Sequence, residues 1–257
     1  MLKFCPLSSG SKGNSIFLKT EKTKILIDVG ISFQKLEKKL LEINEDIFSI
    51  EAVFITHEHF DHAGYLKTIS EKLNIPVIIN SETLKGIYKN TKFLPKAKIF
   101  TTGEEFEFND LIVHSFSLPH DTLEPVGFTF IKNKTKIAVC TDLGFVTSLI
   151  KKRLKDTNIL FIEANHDVNM VHASNRPKLY KDRVLSKHGH ISNEECFDLI
   201  KDIMHDKLTH IYLSHISEEC NSIDLLKNKS QIFLKNINRD IEINIAYQNK
   251  ISKCIEI

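Results

Sequence analysis

The sequence predicts an α/β protein, a four-layer αββα sandwich in which two mixed sheets pack face to face with helices outside. Three observations carry this. Short β-rich runs are grouped with amphipathic helical stretches in both halves of the chain. A content of 42% hydrophobic and 26% charged residues over 257 positions suffices for a substantial buried core. Apolar strands repeatedly run into a His or Asp in the loop that follows. No short repeat, low-complexity tract or linker interrupts the chain, so residues 1–257 read as a single domain.

The first strands are bounded by turn residues: Leu2 to Leu7, Ser15 to Lys19 and Lys24 to Asp28, separated by Ser8-Ser9-Gly10-Ser11-Lys12-Gly13-Asn14 and by Glu21-Lys22. They suggest a meander. Ser32 to Ile43 places Phe33, Leu36, Leu40 and Ile43 on one helical stripe, with Ser32 positioned to cap it, before the strand Glu51 to Thr56. Helix and strand then alternate: helix Gly64 to Leu73, strand Pro76 to Ile79, helix Ser81 to Lys89, strand Lys98 to Thr101. Gly103 to Cys140 turns to alternating strands. Beyond it come helix Phe145 to Lys155, strand Asn158 to Glu163, helical stretches near 177–187 and 192–204, strand Thr209 to Ser214 and helix Ile223 to Asn236. Strands Ile241 to Ala246 and Ile251 to Ile255 end the chain. Ser192-Asn193-Glu194-Glu195 has the spacing of a capping box, which sets a helix start just after His190.

Composition narrows the class. The N-terminus has no long apolar stretch followed by a small-residue cleavage site, and no run approaches membrane-spanning length, so a cytoplasmic protein without a membrane partner is expected. Cys5, Cys140, Cys196, Cys220 and Cys254 are scattered and never in a C-x-x-C spacing; they are expected to be reduced packing residues rather than a disulfide framework or a thiolate zinc knuckle. A net charge of +2 is too small to imply a nucleic-acid partner by itself. Arg176, Lys178, Lys181, Arg183 and Lys187 stand against the single acid Asp182. That segment either faces phosphates or forms a solvated helix face.

Chemistry concentrates in Thr56-His57-Glu58-His59-Phe60-Asp61-His62. Imidazoles and a carboxylate crowded together lose solvation and repel when protonated, unless a cation sits among them. The run therefore reads as a metal site. His57 and His59, two apart on extended backbone, point the same way and can grip one ion. Asp61 and His62 follow in a turn that can aim them at a second position. The run is not H-E-x-x-H, which excludes the helical zincin arrangement. Further ligands stand at later strand ends: His120 in Leu118-Pro119-His120-Asp121, Asp142 in Cys140-Thr141-Asp142-Leu143-Gly144 and His215 in Leu213-Ser214-His215-Ile216-Ser217, with Asp28 closing an earlier strand.

Asp28, His57, His59, Asp61, His62, His120, Asp142 and His215, in this order, resemble the pattern of the metallo-β-lactamase superfamily over nearly the whole chain. The resemblance implies the αββα fold with two divalent ions, Zn or Mn, at one sheet edge: His57, His59 and His120 on one, Asp61, His62 and His215 on the other, Asp142 bridging. Asp28 would orient ligands rather than bind metal. A closer resemblance is to the YycJ (WalJ) group. It is carried by Ser8 to Ser15, Leu118 to Asp121, Pro125-Val126-Gly127-Phe128, Thr141 to Gly144, Glu163-Ala164-Asn165-His166-Asp167, Gly189-His190-Ile191-Ser192-Asn193 and Leu213 to Ser217. This implies a 5′→3′ DNA exonuclease linked to mismatch repair. Many relatives are labelled PhnP-like cyclic phosphodiesterases.

Two divalent ions sharing Asp142 and a water would lower the pKa of that water toward neutrality and offset charge growing on a phosphoryl oxygen. Asp61 and His190 are the candidate catalytic groups. His190, beside a capped helix start, contacts the scissile phosphate, protonates the leaving oxygen, or makes a structural hydrogen bond. Ser9, Ser11 and Asn14 lie in a loop rich in glycine and hydroxyls that could cradle phosphate. Glu163, Asn165 and His166 either order the edge of the site or form a tight turn. His188 is an extra imidazole beside His190 whose part is open.

DNA is the expected partner. The rival substrates are a small phosphodiester, a carboxylic ester, a thioester or a lactam, since the same metal geometry activates water for all of them. A periplasmic lactamase would need an export signal. The RNA-processing β-CASP relatives carry a large inserted domain where only Leu143 to Ser214 lies here, and glyoxalase-like thioesterases carry a helical C-terminal extension that Ile216 to Ile257 is too short to match. A non-catalytic scaffold is disfavoured because every expected ligand is retained.

Overall fold

The structure, a computed structural model, describes residues 1–237 and 239–257. β1 (Lys3–Ser8), β2 (Ser15–Lys19) and β3 (Lys24–Ile27) form the antiparallel meander. From β3 to β6 each further strand is reached over a helix and therefore pairs parallel. α1 (Phe33–Glu42) leads to β4 (Ala52–Phe54), α2 (Phe60–Ala63) and α3 (Leu66–Leu73) to β5 (Val77–Ile79), and α4 (Ser81–Thr91) to β6 (Ala97–Ile99). β7 (Glu105–Phe108) and β8 (Leu111–Ser117) make a hairpin, as do β9 (Val126–Lys132) and β10 (Thr135–Cys140).

Alternation then resumes through α5 (Ser148–Leu154), β11 (Ile159–Glu163), α6 (Val168–Ala173), α7 (Lys178–Val184), α8 (Asn193–Asp202), β12 (His210–Ser214), α9 (Ile223–Ile237) and β13 (Glu242–Ile245), with β10 to β13 parallel. β14 (Ile255–Glu256) ends the chain. The two sheets are mixed and seven-stranded, ordered β14-β1-β2-β3-β4-β5-β6 and β13-β12-β11-β10-β9-β8-β7. Contacts divide the chain into two compact units: unit 1 is Met1–Ser115, Thr122–Val126 and Tyr247–Ile257, and unit 2 is Phe116–Asp121 and Gly127–Ala246.

Local chemistry accounts for the element ends. Ser32 accepts from the Lys35 N–H, and Ser192 with Glu195 closes the capping box of α8. α6 has no counterpart among the expected elements; Asp167 caps it by accepting from the Met170 N–H. The expected last strand is shorter than its apolar pattern suggests, because Ser252 donates its N–H to the Pro6 carbonyl and accepts from the Tyr247 N–H, which turns the chain before β14.

Two features of unit 1 were not foreseen. Cys5 and Cys254 form a disulfide with Cα atoms 4.4 Å apart, correcting the expectation that all cysteines are reduced. β14 pairs with β1 through Phe4 opposite Ile255, so the next antiparallel pair in that register is Cys5 and Cys254. Cys140, Cys196 and Cys220 are buried thiols, as expected; burial pushes Cys140 and Cys196 far above the ordinary thiol range. Glu45, 4% exposed, collects Lys3, Lys19 and Lys24 at 3.3, 2.8 and 3.1 Å. Burial pushes its carboxyl up, and the hydrogen bonds and charges of Lys19 and Lys24 outweigh this and hold it below the usual carboxylate range. Among the described residues no helix is long and apolar enough to cross a membrane.

Candidate metal centre

In unit 1 the ligand candidates hang on the ends of β3 and β4. Asp28 follows β3 in the left-handed region at φ 60° and accepts from the Thr56 N–H at 2.9 Å and the Thr56 hydroxyl at 2.8 Å. A carboxylate only accepts, so His62 Nδ1, 2.7 Å from Asp28 Oδ2, carries its proton and Nε2 its lone pair. Thr56 Oγ, having given its proton to Asp28, is the acceptor for His57 Nδ1 at 3.0 Å, which fixes the same tautomer there. The His57 ring lies 4.9 Å from that of His59 and 4.1 Å from that of His62. α2 begins at Phe60, so Asp61 and His62 leave a helical turn rather than a loop, with Asp61 Oδ2 3.5 Å from His62 Nε2.

The glycine-rich loop locks this arrangement. Asn14 Nδ2 donates toward His62 Nε2 at 2.9 Å and Asp61 Oδ2 at 3.2 Å, so both acceptors converge on one donor. A cation binds where such acceptors converge. Gly30 permits the approach: a Cβ there would stand 1.7 Å from the Asp61 carbonyl oxygen. Ser9 is buried and donates its N–H to the Tyr247 carbonyl, whereas Ser11 is exposed.

In unit 2, β10, β11 and β12 run parallel and deliver their C-terminal ends together. Ligand atoms of Asp142, Glu163, His190 and His215 lie within 4.8 Å of one another. Asp142 and His215 adopt left-handed backbone, φ 60° and 50°, a conformation that costs about 1–3 kcal/mol outside glycine and recurs at functional sites. Glu163, fully buried at the end of β11, is the organiser. Its Oε2 accepts from the Leu143 N–H at 2.7 Å, and its Oε1 accepts from His190 Nδ1 at 2.7 Å and His215 Nδ1 at 2.9 Å. Burial raises this carboxyl, and the charges and hydrogen bonds of His190 and His215 outweigh it and keep it ionised. His120 Nδ1 donates to the Gly189 carbonyl at 3.0 Å, leaving Nε2 3.6 Å from Asp142 Oδ1. Burial lowers the His120 pKa, Asp142 opposing, and so favours the neutral imidazole that binds metal.

His190 stands between His120 and His215, its ring 5.1 Å from each. Asn165 donates to the His215 carbonyl at 2.8 Å and so supports a strained turn. His166 is buried, its Nδ1 without a hydrogen-bond partner, and burial lowers its pKa. His188 is exposed and belongs to none of the His/Asp clusters found among the described residues. Arg176 pairs with Glu219 and Arg183 with Asp121, and Lys181 donates to the His172 carbonyl, so much of the basic segment is engaged within the protein. Thr56 escaped the sequence reading, although a hydroxyl directly before the first ligand was its signal.

Across both units the imidazoles of His57, His62, His120 and His215 have Nδ1 against an oxygen acceptor, the tautomer that keeps the lone pair on Nε2, beside buried carboxylates. Such a donor set suits a divalent metal. The fold and these His/Asp clusters define a metal-dependent hydrolase. The chain belongs to the beta-lactamase superfamily, whose domain matches residues 23–216. It is 34% identical to exodeoxyribonuclease YycJ of Bacillus anthracis, over 88% of this chain and 86% of that protein. It is 33% identical to exodeoxyribonuclease WalJ of Streptococcus pneumoniae, over 87% and 84%. The metallo-β-lactamase fold protein YhfI of Bacillus subtilis superposes with a TM-score of 0.73 over the whole of both chains, at 12% identity, and shares the fold.

Proposed function

We propose that this hydrolase is a dinuclear-metal phosphodiesterase that degrades DNA from 5′ ends. The observation that carries the reading is the near-full-length relationship to two exodeoxyribonucleases. His57, His59 and His120 would hold one Zn or Mn ion and Asp61, His62 and His215 the other, with Asp142 shared between the two sets. When bound, the ions supply an activated water and neutralise charge on the phosphoryl oxygens. Asp28, Thr56 and Glu163 keep Nδ1 protonated on the histidines they touch, so Nε2 stays available. When doubly protonated, His190 keeps one proton on Nδ1 against Glu163 and gives the other, on Nε2, to the leaving oxygen. The activity fits a cytoplasmic exonuclease that removes the error-bearing strand in mismatch repair.

The test offers the purified, Mn²⁺- or Zn²⁺-loaded protein end-labelled double-stranded DNA, single-stranded DNA, RNA and a cyclic phosphodiester in parallel, alongside the Asp61→Ala/His62→Ala variant. We expect digestion of DNA from the 5′ end and no turnover in the variant. Turnover of the cyclic phosphodiester alone would replace DNA by a small substrate, and full activity in the variant would sink the two-metal arrangement.

A further inference from the structure

A cavity of about 310 Å³ lies in unit 1 beside the glycine-rich loop, and half of its lining residues are lysines, drawn from three chain segments: Lys12 of the loop, Lys35, Lys38 and Lys39 of α1, and Lys250 near the C-terminus. Glu42 is the only carboxylate on the lining. Lys35, Lys38, Lys39 and Glu42 recur at helical spacing on one stripe of α1, opposite the buried Phe33, Leu36 and Leu40. An exposed helix stripe alone is ordinary. Here cations from two further segments close around it.

Two observations show a concentration of positive charge that Glu42 offsets only in part. Among the described residues Lys35, Lys38, Lys39 and Lys250 form no ion pair within 4.0 Å, whereas Arg176 and Arg183 of the other basic segment each hold a carboxylate. Burial draws Lys39 below the ordinary lysine range, Glu42 offsets part of this, and the charges of Lys35 and Lys38 lower it further. Lys250 is set in place by the Tyr247 ring, 3.9 Å from its ammonium.

The cavity is tied to the candidate ligands through the loop. Gln248, also on its lining, accepts the Lys12 N–H at 2.8 Å and donates to the Gly13 carbonyl at 2.9 Å. The next residue, Asn14, reaches Asp61 and His62. We propose that this lysine-lined cavity is a second phosphate subsite, which holds a backbone phosphate of the DNA strand away from the scissile bond. The inference rests on the nuclease reading for its ligand, and on the cavity for its place. A chain of phosphodiesters satisfies both ends of the loop at once, which a single small phosphate cannot.

The experiment measures binding of a short fluorescent single-stranded oligonucleotide by anisotropy, in EDTA and over a salt series, for the full-length protein and its Lys35→Gln/Lys38→Gln/Lys39→Gln variant. Loss of the three ammonium groups around that phosphate is expected to weaken binding about tenfold or more at low salt and to reduce the slope of log K against log salt by about 0.7. Lys207→Gln/Lys227→Gln/Lys235→Gln removes equal charge from exposed positions elsewhere and should leave affinity near wild type. Unchanged affinity and slope in the first variant, equal weakening in the second, or no binding by the wild-type protein each overturn the subsite. Thermal melting establishes that both variants are folded. Digestion of DNA by the wild-type protein is scored separately: binding through these lysines without DNA cleavage would sink the nuclease reading and leave the subsite, while cleavage with an unaltered lysine variant does the reverse.

Discussion

Replacing Glu163 by Gln keeps the shape of the side chain and exchanges one acceptor oxygen for an NH2 donor. If that donor faces Leu143 it meets a backbone N–H, and if it faces the histidines it meets two imidazole N–H groups. Either way donors are crowded in a fully buried place. Glu163→Gln is expected to lower divalent-metal affinity and hydrolytic turnover about 10–100-fold, read by metal titration and steady-state rates. Wild-type metal binding in the variant would show that His190 and His215 need no such anchor. The candidate site residues were legible, because His57 to His62 are crowded and Asp28, Asp142 and His215 each end an apolar run. Their anchors were not. Glu163 meets His215 because β11 pairs with β12 with Glu163 opposite Ser214, and no local pattern encodes that register. His188, in sequence an extra imidazole of open part beside the catalytic candidate His190, is exposed, while the turn at Gly189 brings His190 to Glu163.

Among the elements, meander and alternation were readable from apolar runs and turn residues, and capping chemistry placed α1 and α8. α6 was missed because its six residues, Val168–Ala173, are too few to show a stripe and its signal is the single cap Asp167. The disulfide was hidden for the opposite reason, since 249 residues separate its ends and only the pairing of β14 with β1 brings them together. Closing so long a loop restricts the unfolded chain, so reduction should cost about 2–5 kcal/mol and lower the melting midpoint by about 5–15 °C. Melting with and without dithiothreitol, with mass spectrometry to count thiols, checks this, and Cys5→Ser/Cys254→Ser should melt low regardless of reductant. Equal midpoints for oxidised and reduced protein would remove the disulfide from the account of stability.

At the scale of the molecule, the two compact units are not two stretches of chain. Unit 1 is assembled from three segments and unit 2 from two, and the boundary at Ser115 and Phe116 falls inside β8. A strand cannot be half folded without losing its ladder, and unit 1 cannot be completed until the C-terminal residues beyond unit 2 return to β1 through β14. We infer from this covalent connectivity that residues 1–257 behave as one domain. Differential scanning calorimetry is expected to show one transition with equal calorimetric and van't Hoff enthalpies. Saturating Mn²⁺ or Zn²⁺ should raise that single midpoint and EDTA should return it, because an ion bound by the folded chain alone stabilises it by mass action. Two resolved transitions, with only one of them moved by metal, would make the units independent domains and would confine the metal ligands to the one that shifts.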